Sequence, residues 1–349
     1  MKVAIFGLGH VGSVAAGCLA SRGHVVHGFD PDPAKVAAIN AGRSPIVERQ
    51  LDQLIADAVG AGRLCASLDA AGQLDDCDIA LVCVGTPSGQ DGRHDLTQIG
   101  DVTRSIAAAV ERRGGPRLTI AYRSTVRPGT CESVILPIFR ERLGAAAAER
   151  VEVVHHPEFL REARAVQDFF HPPRIVIGTI DGRPCHSLAS LYEGCSAPLF
   201  QVGIREAEMT KFMDNAWHAT KVAFANEIGR LCEASGVSAT QMHELFVADT
   251  QLNIGRTYLK PGAPFGGSCL PKDVRALQRI GDDCAADTRS ATRRYWRWRR
   301  WRCCCWRDLR GKGIVREALA APIPVGAGSD FGRGAGHRRA TRPRSALPA

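Results

Sequence analysis

The first thirty residues constrain this chain more than any other segment. Lys2 to Phe6 is a short apolar run, Gly7-Leu8-Gly9-His10-Val11-Gly12 follows at once, and Val11 to Ser21 carries a helical Ala/Val pattern. His24 to Asp30 supplies a second strand-like run that ends in a carboxylate 18 residues after Gly12. Strand, glycine turn, helix and strand in that order predict the opening unit of a doubly wound α/β sheet. Glycines let the backbone approach a pyrophosphate, and the N–H groups that open the helix point at it. A carboxylate at the end of the second strand accepts both ribose hydroxyls. Gly7, Gly9, Gly12 and Asp30 are therefore candidate cofactor-binding residues. Asp30 would repel a 2′-phosphate and no Arg follows it at once, which favours NAD over NADP.

The alternation continues down the chain. Strands are expected at Asp78 to Val84, Leu118 to Arg123, Val151 to His155 and Arg174 to Gly178, with helices at about Leu96 to Arg112 and after Pro128. Strands separated by helices imply a parallel, doubly wound sheet with helices on both faces. Two strands run into polar loops, Gly85-Thr86-Pro87 and Ser124-Thr125-Val126. Ligands of such sheets bind beyond the carboxyl ends of the strands, so Thr86 and Thr125 are placed to meet the cofactor.

From Ile204 to about Ala234 the pattern changes to one long helix. Met209, Phe212, Met213, Ala216, Trp217, Phe224, Ile228 and Leu231 form a broad apolar face, and Glu208, Lys211, Asn215, His218 and Asn226 form a narrow stripe opposite. Such a stripe is either a solvated surface or the wall of a site. The run Pro261-Gly262-Ala263-Pro264-Phe265-Gly266-Gly267-Ser268-Cys269-Leu270-Pro271-Lys272-Asp273 bears on that choice. It sets a thiol among small residues, with Lys272 and Asp273 close by and a helix beginning nearby. A cation or a helix N-terminus favours the thiolate, the nucleophilic form. A thiol near a nicotinamide suggests oxidation of an aldehyde through a thioester.

Six ordered motifs now stand together: Gly7-Leu8-Gly9-x-Val11-Gly12, Gly85-Thr86-Pro87, Arg123-Ser124-Thr125-Val126, Pro157-Glu158-Phe159-Leu160-Arg161-Glu162, Glu208-Met209-x-Lys211, and Phe265 to Asp273. Over residues 1 to about 280 the chain resembles the nucleotide-sugar 6-dehydrogenases, the UDP-glucose/GDP-mannose dehydrogenase family. Asn215 to Lys221 and Lys272 to Leu277 look most like the GDP-mannose branch. The resemblance implies an NAD-binding Rossmann-like domain over residues 1–200 and a helical dimerisation region carrying the catalytic cysteine over 201–281. It also implies oxidation of a sugar C6 alcohol to a carboxylate with two NAD+ in turn, acting on GDP-mannose or, as the alternative, UDP-glucose. Cys269 would be the nucleophile, Lys211 and Asn215 the stabilisers of oxyanion charge, Asp273 a base acting through water, and Glu158 the group that activates the hydrolytic water. Thr125 joins these catalytic positions. His10, Val11, Lys35 and Lys272 join the cofactor-binding residues. Glu162, Lys211, Asn215, His218, Asn226, Arg256, Thr257, Tyr258, Lys260, Phe265 and Gly266 match substrate-binding positions. In the family the long helix builds a homodimer.

The match has departures. His10 stands where the family usually has Tyr, and would touch the rim of the cofactor. His156 stands where it usually has Asn beside Glu158, and would perturb the hydrolytic site. After about Ile280 the pattern is lost, and no trace of the family's second dinucleotide-type domain follows. Residues 282–349 form an irregular tail in which Arg293 to Arg307 interleaves arginines with Tyr295, Trp296, Trp298, Trp301, Trp306 and three adjacent cysteines. The formal charge of +9 resides there, since residues 283–349 hold 16 basic and 5 acidic side chains and leave 29 against 31 for the rest. A surplus confined to the tail does not mark the body of the chain as a nucleic-acid binder, and no partner of that kind is expected. The Arg, Ala, Gly, Pro and Cys bias reads as translation of a GC-rich coding sequence in a wrong frame. Thirteen scattered cysteines without metal-ligand spacing read as reduced cytoplasmic thiols, and no metal site is expected. Glycines break the Ala-rich start, which argues against a secretory signal, and no run approaches the ~18 apolar residues of a membrane span.

Overall fold

A computed structural model describes residues 1–70, 73–89, 91–234, 236–250, 267 and 269–283. In chain order the elements are β1 (Lys2–Phe6), α1 (His10–Ser21), β2 (Val25–Phe29), α2 (Pro33–Asn40), α3 (Leu51–Gly60), β3 (Leu64–Ser67), β4 (Ile79–Val82), α4 (Thr97–Arg112) and β5 (Leu118–Tyr122). A π-helical turn at Cys131–Ile135 leads into α5 (Leu136–Leu143), followed by α6 (Ala147–Arg150), β6 (Val151–His155), α7 (Ala165–Phe170), β7 (Ile175–Thr179), α8 (His186–Ala189) and β8 (Leu199–Gly203). Three helices complete it: α9 (Ile204–Ala234), α10 (Ala239–Ala248) and α11 (Cys269–Asp283).

The strands form one sheet in the order β3-β2-β1-β4-β5-β6-β7-β8. The order reverses between β1 and β4, which opens a crevice at their carboxyl ends. β4 and β5 are buried along their whole length, as strands covered on both faces must be. Side chains alternate along β1 between two cores. Val3 and Ile5 pack with α1, α3 and α7, while Ala4 and Phe6 pack with α4 and α5.

The sheet is not parallel throughout, because β7 runs antiparallel to β6. The connection between β6 and β7 holds the six-residue α7.

The long helix is oriented against one of the two readings of its stripe. Glu208, Lys211 and Asn215 are buried, so that part of the polar stripe is no solvated surface. Of the apolar face, Phe212 and Ala216 turn inward, whereas Met209, Met213 (60% exposed), Trp217 (58% exposed) and Phe224 face outward. The side chains of Ile228 and Leu231 lie outside the described residues. α11 packs along α9, with Val274 against Ala219. At its far end Asp283 meets Arg127 at 2.8 Å and Arg279 at 3.1 Å, tying the helix to the loop after β5.

Candidate active site

The glycine turn is shaped for a phosphate. Gly7 has a φ of +91°, and a Cβ at Gly12 would lie 1.8 Å from the Gly7 carbonyl oxygen, so both positions require glycine. A Cβ on Gly9 would meet nothing within 4 Å, which leaves open space ahead of α1. No side chain caps α1, so its leading N–H groups remain for an anion. Asp30, nearly buried at the end of β2, accepts from the Leu8 N–H at 2.7 Å and the Asp32 N–H at 3.0 Å. Lys35 reaches the same carboxylate at 3.1 Å. An open cradle beside a fixed carboxylate fits a dinucleotide, with Gly7, Gly9, Val11, Gly12, Asp30 and Lys35 around it. His10 opens α1 with Nε2 3.9 Å from Glu48, a carboxylate that itself accepts from the Ala163 and Ala165 N–H groups.

Beyond the carboxyl ends of β4, β5 and β6 a second cluster forms. The Glu158 carboxylate accepts from Lys211 Nζ at 2.7 Å and from the Leu160 N–H at 2.6 Å. Burial pushes Glu158 up, but Lys211 and the Leu160 N–H outweigh it and hold the acid below its ordinary range. One turn along α9 from Lys211, Asn215 donates Nδ2 to Asp273 on α11. Lys272 Nζ lies 3.1 Å from the other oxygen of Asp273, off the line of a hydrogen bond. Cys269 is the first residue of α11 and is exposed. Four residues before Asp273, it shares that face of the helix.

The two threonine loops are tied together. Thr86 donates its hydroxyl to the Thr125 carbonyl at 2.9 Å, and His94 Nδ1 donates to the same oxygen at 3.0 Å. His156 is turned toward Val176 and Tyr192. Its Nδ1 donates to the Val176 carbonyl at 2.7 Å, which leaves Nε2 to accept from the Tyr192 hydroxyl. Burial pushes its imidazole down to about 3.

Glu162 is exposed, and His218 and Asn226 are half-buried farther along α9. Arg256, Thr257, Tyr258, Lys260, Phe265 and Gly266 lie outside the described residues, as does the tail after Asp283. Three residues of the cluster carry no role in the sequence reading, although Glu208 stands in its polar stripe and in one of its motifs. Glu48 positions the chain after Glu158, and Glu208 accepts from the Gly129 and Cys131 N–H groups at 2.5 and 2.8 Å. The third is His94, buried 3.7 Å from Asp273. It sits in the loop that follows Thr86, so the rule that selected Thr86 also reaches it.

The chain is similar to known proteins over most of its length. Residues 1–196 match the NAD-binding domain of the UDP-glucose/GDP-mannose dehydrogenase family, and residues 205–293 match its central domain. The chain belongs to this family. Its cofactor is accordingly NAD, in agreement with Asp30. The GDP-mannose 6-dehydrogenase of Azotobacter vinelandii is 46% identical over 277 residues, which are 79% of this chain and 63% of that protein. The chain thus spans less than two thirds of the length of that curated relative. Among solved structures, a GDP-mannose dehydrogenase from Pseudomonas aeruginosa is 42% identical with a TM-score of 0.71, covering 83% of this chain and 66% of its own. A UDP-glucose dehydrogenase from Pyrobaculum islandicum is 35% identical with a TM-score of 0.80, covering 86% and 68%. Identity and backbone superposition rank these two structures in opposite order.

Proposed function

We propose that the chain acts as an NAD-dependent nucleotide-sugar 6-dehydrogenase that oxidises GDP-mannose to GDP-mannuronate, with UDP-glucose as the alternative substrate. The observation that carries this reading is the convergence of Lys211, Asn215, Glu158 and Asp273 beside the carboxyl ends of the strands, with Cys269 one turn from Asp273. Bound NAD+ would supply the acceptor for the hydride that leaves C6 in each oxidation. Asp273, through water, takes the hydroxyl proton, while Lys211 and Asn215 steady the developing oxyanion. Cys269 then adds to the aldehyde, and the thiohemiacetal loses the second hydride to become a thioester. Water breaks the C–S bond, returning the thiol and releasing the carboxylate. As Lys211 turns toward the oxyanion it leaves Glu158, whose carboxylate regains basicity for that water. Lys272, beside Asp273, would serve the cofactor, and Glu162, His218 and Asn226 the sugar nucleotide.

Through Met209, Met213, Trp217 and Phe224 the outer face of α9 forms a homodimer, continued by Met242, Leu245 and Phe246 of α10, which are also exposed. The reduced thiols suit work in the cytoplasm, supplying a uronate for an alginate-like polysaccharide. Among the described residues no helix is long and apolar enough to cross a membrane.

The deciding experiment is NADH formation with GDP-mannose or UDP-glucose, counting NADH per sugar consumed. Two NADH per GDP-mannose are expected, and Cys269→Ser should abolish acid formation. Normal uronate yield from that variant would overturn the thioester scheme. NAD binding without turnover of either sugar would leave an NAD-binding, dimerising module in place of an enzyme.

A further inference from the structure

His94 has no part in the chemistry assigned so far, yet it is built into the same cluster. Its ring stacks on Phe212 of α9 with centroids 5.5 Å apart, and it is buried. Nδ1 faces the Thr125 carbonyl, an acceptor only, so the proton on that side is fixed at Nδ1. In the neutral ring Nε2 is then a lone pair. It points toward Asp273 Oδ1 at 3.7 Å, and neither Nε2 nor Oδ1 has a hydrogen-bond partner. Lys272 Nζ lies 3.1 Å from the same oxygen and offsets its charge, but Nε2 faces it as a second acceptor, and one proton between the two would join them.

We propose that His94 and Asp273 form a pair that takes up one proton between them, and that this pair, not Asp273 alone, receives the proton released when the C6 hydroxyl is oxidised. The O–H bond breaks toward Asp273, and the proton passes to His94 Nε2 while the C6 hydride leaves to NAD+. The resulting imidazolium donates at both nitrogens, to Thr125 and to Asp273. The charged groups facing the ring are Asp273 and Lys272 of α11. Phe212 supplies a ring face, and the loop after β5 supplies the Thr125 carbonyl. Burial, then Lys272, push the imidazole down to about 4 and Asp273 opposes them, so the resting ring is neutral. His94 acts through Asp273 and is a positioning residue.

The pair stands without the proposed reaction, whereas its use in oxidation rests on that reading. The test follows the His94 ring by NMR through a pH titration of the full chain. Asp273→Asn should move its midpoint to lower pH, because the anion is gone, and Lys272→Met should move it to higher pH. An unchanged midpoint in Asp273→Asn, or a neutral ring protonated at Nε2, would overturn the pair. If Asp273→Asn fails to fold, an unmoved midpoint in Lys272→Met does so instead. For turnover, His94→Asn should lower kcat by about tenfold or more with KM little changed, and move the acid limb of the pH profile to lower pH. A wild-type profile would confine the pair to structure. A chain that oxidises neither sugar while His94 still responds to Asp273→Asn would sink the dehydrogenase reading and keep the pair.

Discussion

At the scale of residues, the Glu158–Lys211 pair is the most exposed to test. Both side chains are nearly buried, and removing one partner of such a pair costs about 3–5 kcal/mol because the other charge is left uncompensated. Glu158→Gln should therefore lower the stability of the chain at neutral pH by roughly that amount, read from urea unfolding. The dependence on pH has a definite sign. Glu158 is held below its ordinary value in the folded chain, so its contribution is present above the unfolded value of about 4.3 and is lost as pH falls through the folded one. The parent should lose stability across that acid window, and Glu158→Gln should lose less. Equal slopes would show that the pair is not held as an ion pair. Sequence placed Glu158 and Lys211 in the same site but not in contact, since 53 residues separate them and no local pattern encodes that pairing.

At the scale of elements, the inward stripe of α9 explains why Glu208 accompanies Lys211. Its carboxylate takes the Gly129 and Cys131 N–H groups at the start of the π-helical turn that leads into α5, so it caps one element while belonging to another. Burial raises Glu208 above its ordinary range, with the two N–H groups opposing. Glu208→Ala would leave both donors buried and unsatisfied, and a loss of about 2–4 kcal/mol is expected, with Glu208→Gln costing less because one acceptor oxygen remains. Thermal unfolding of the two variants decides it. Several elements were hard to read in the sequence for reasons of size. β3 is four residues long, α2 is short, and β8 lies at the sheet edge with Leu199 and Phe200 exposed, so none carries enough buried periodicity to stand out. The long helices and the buried strands did, because their apolar patterns repeat several times.

At the scale of the whole molecule, the outward apolar stripe of α9 should govern association. Trp217→Glu combined with Met213→Glu should convert a dimer to a monomer in sedimentation without disturbing NAD binding, because both side chains are exposed and neither belongs to the cofactor turn. An unchanged assembly would place the interface elsewhere. The tail belongs to this scale as well. Its composition predicts that the DNA after about codon 281 encodes an alternating strand and helix pattern in another frame, and sequencing that shows none would remove the frame explanation.

The sequence by itself determined the nucleotide cradle, the alternation of the longer strands and helices, the family, the face-sharing of Lys211 with Asn215 and the nearness of Cys269 to Asp273. Each is local, written in a turn, a repeat or a helical spacing. Tertiary structure alone decided that β7 reverses, that the polar stripe of α9 faces inward, and that His94 meets Asp273 across 179 residues of chain. Periodicity states which residues share a face, but burial of that face depends on what packs against it. For α9 the partners are the strand-end loops and α11. Their carboxylates and carbonyls turn a charged stripe that would otherwise be surface into the wall of a site.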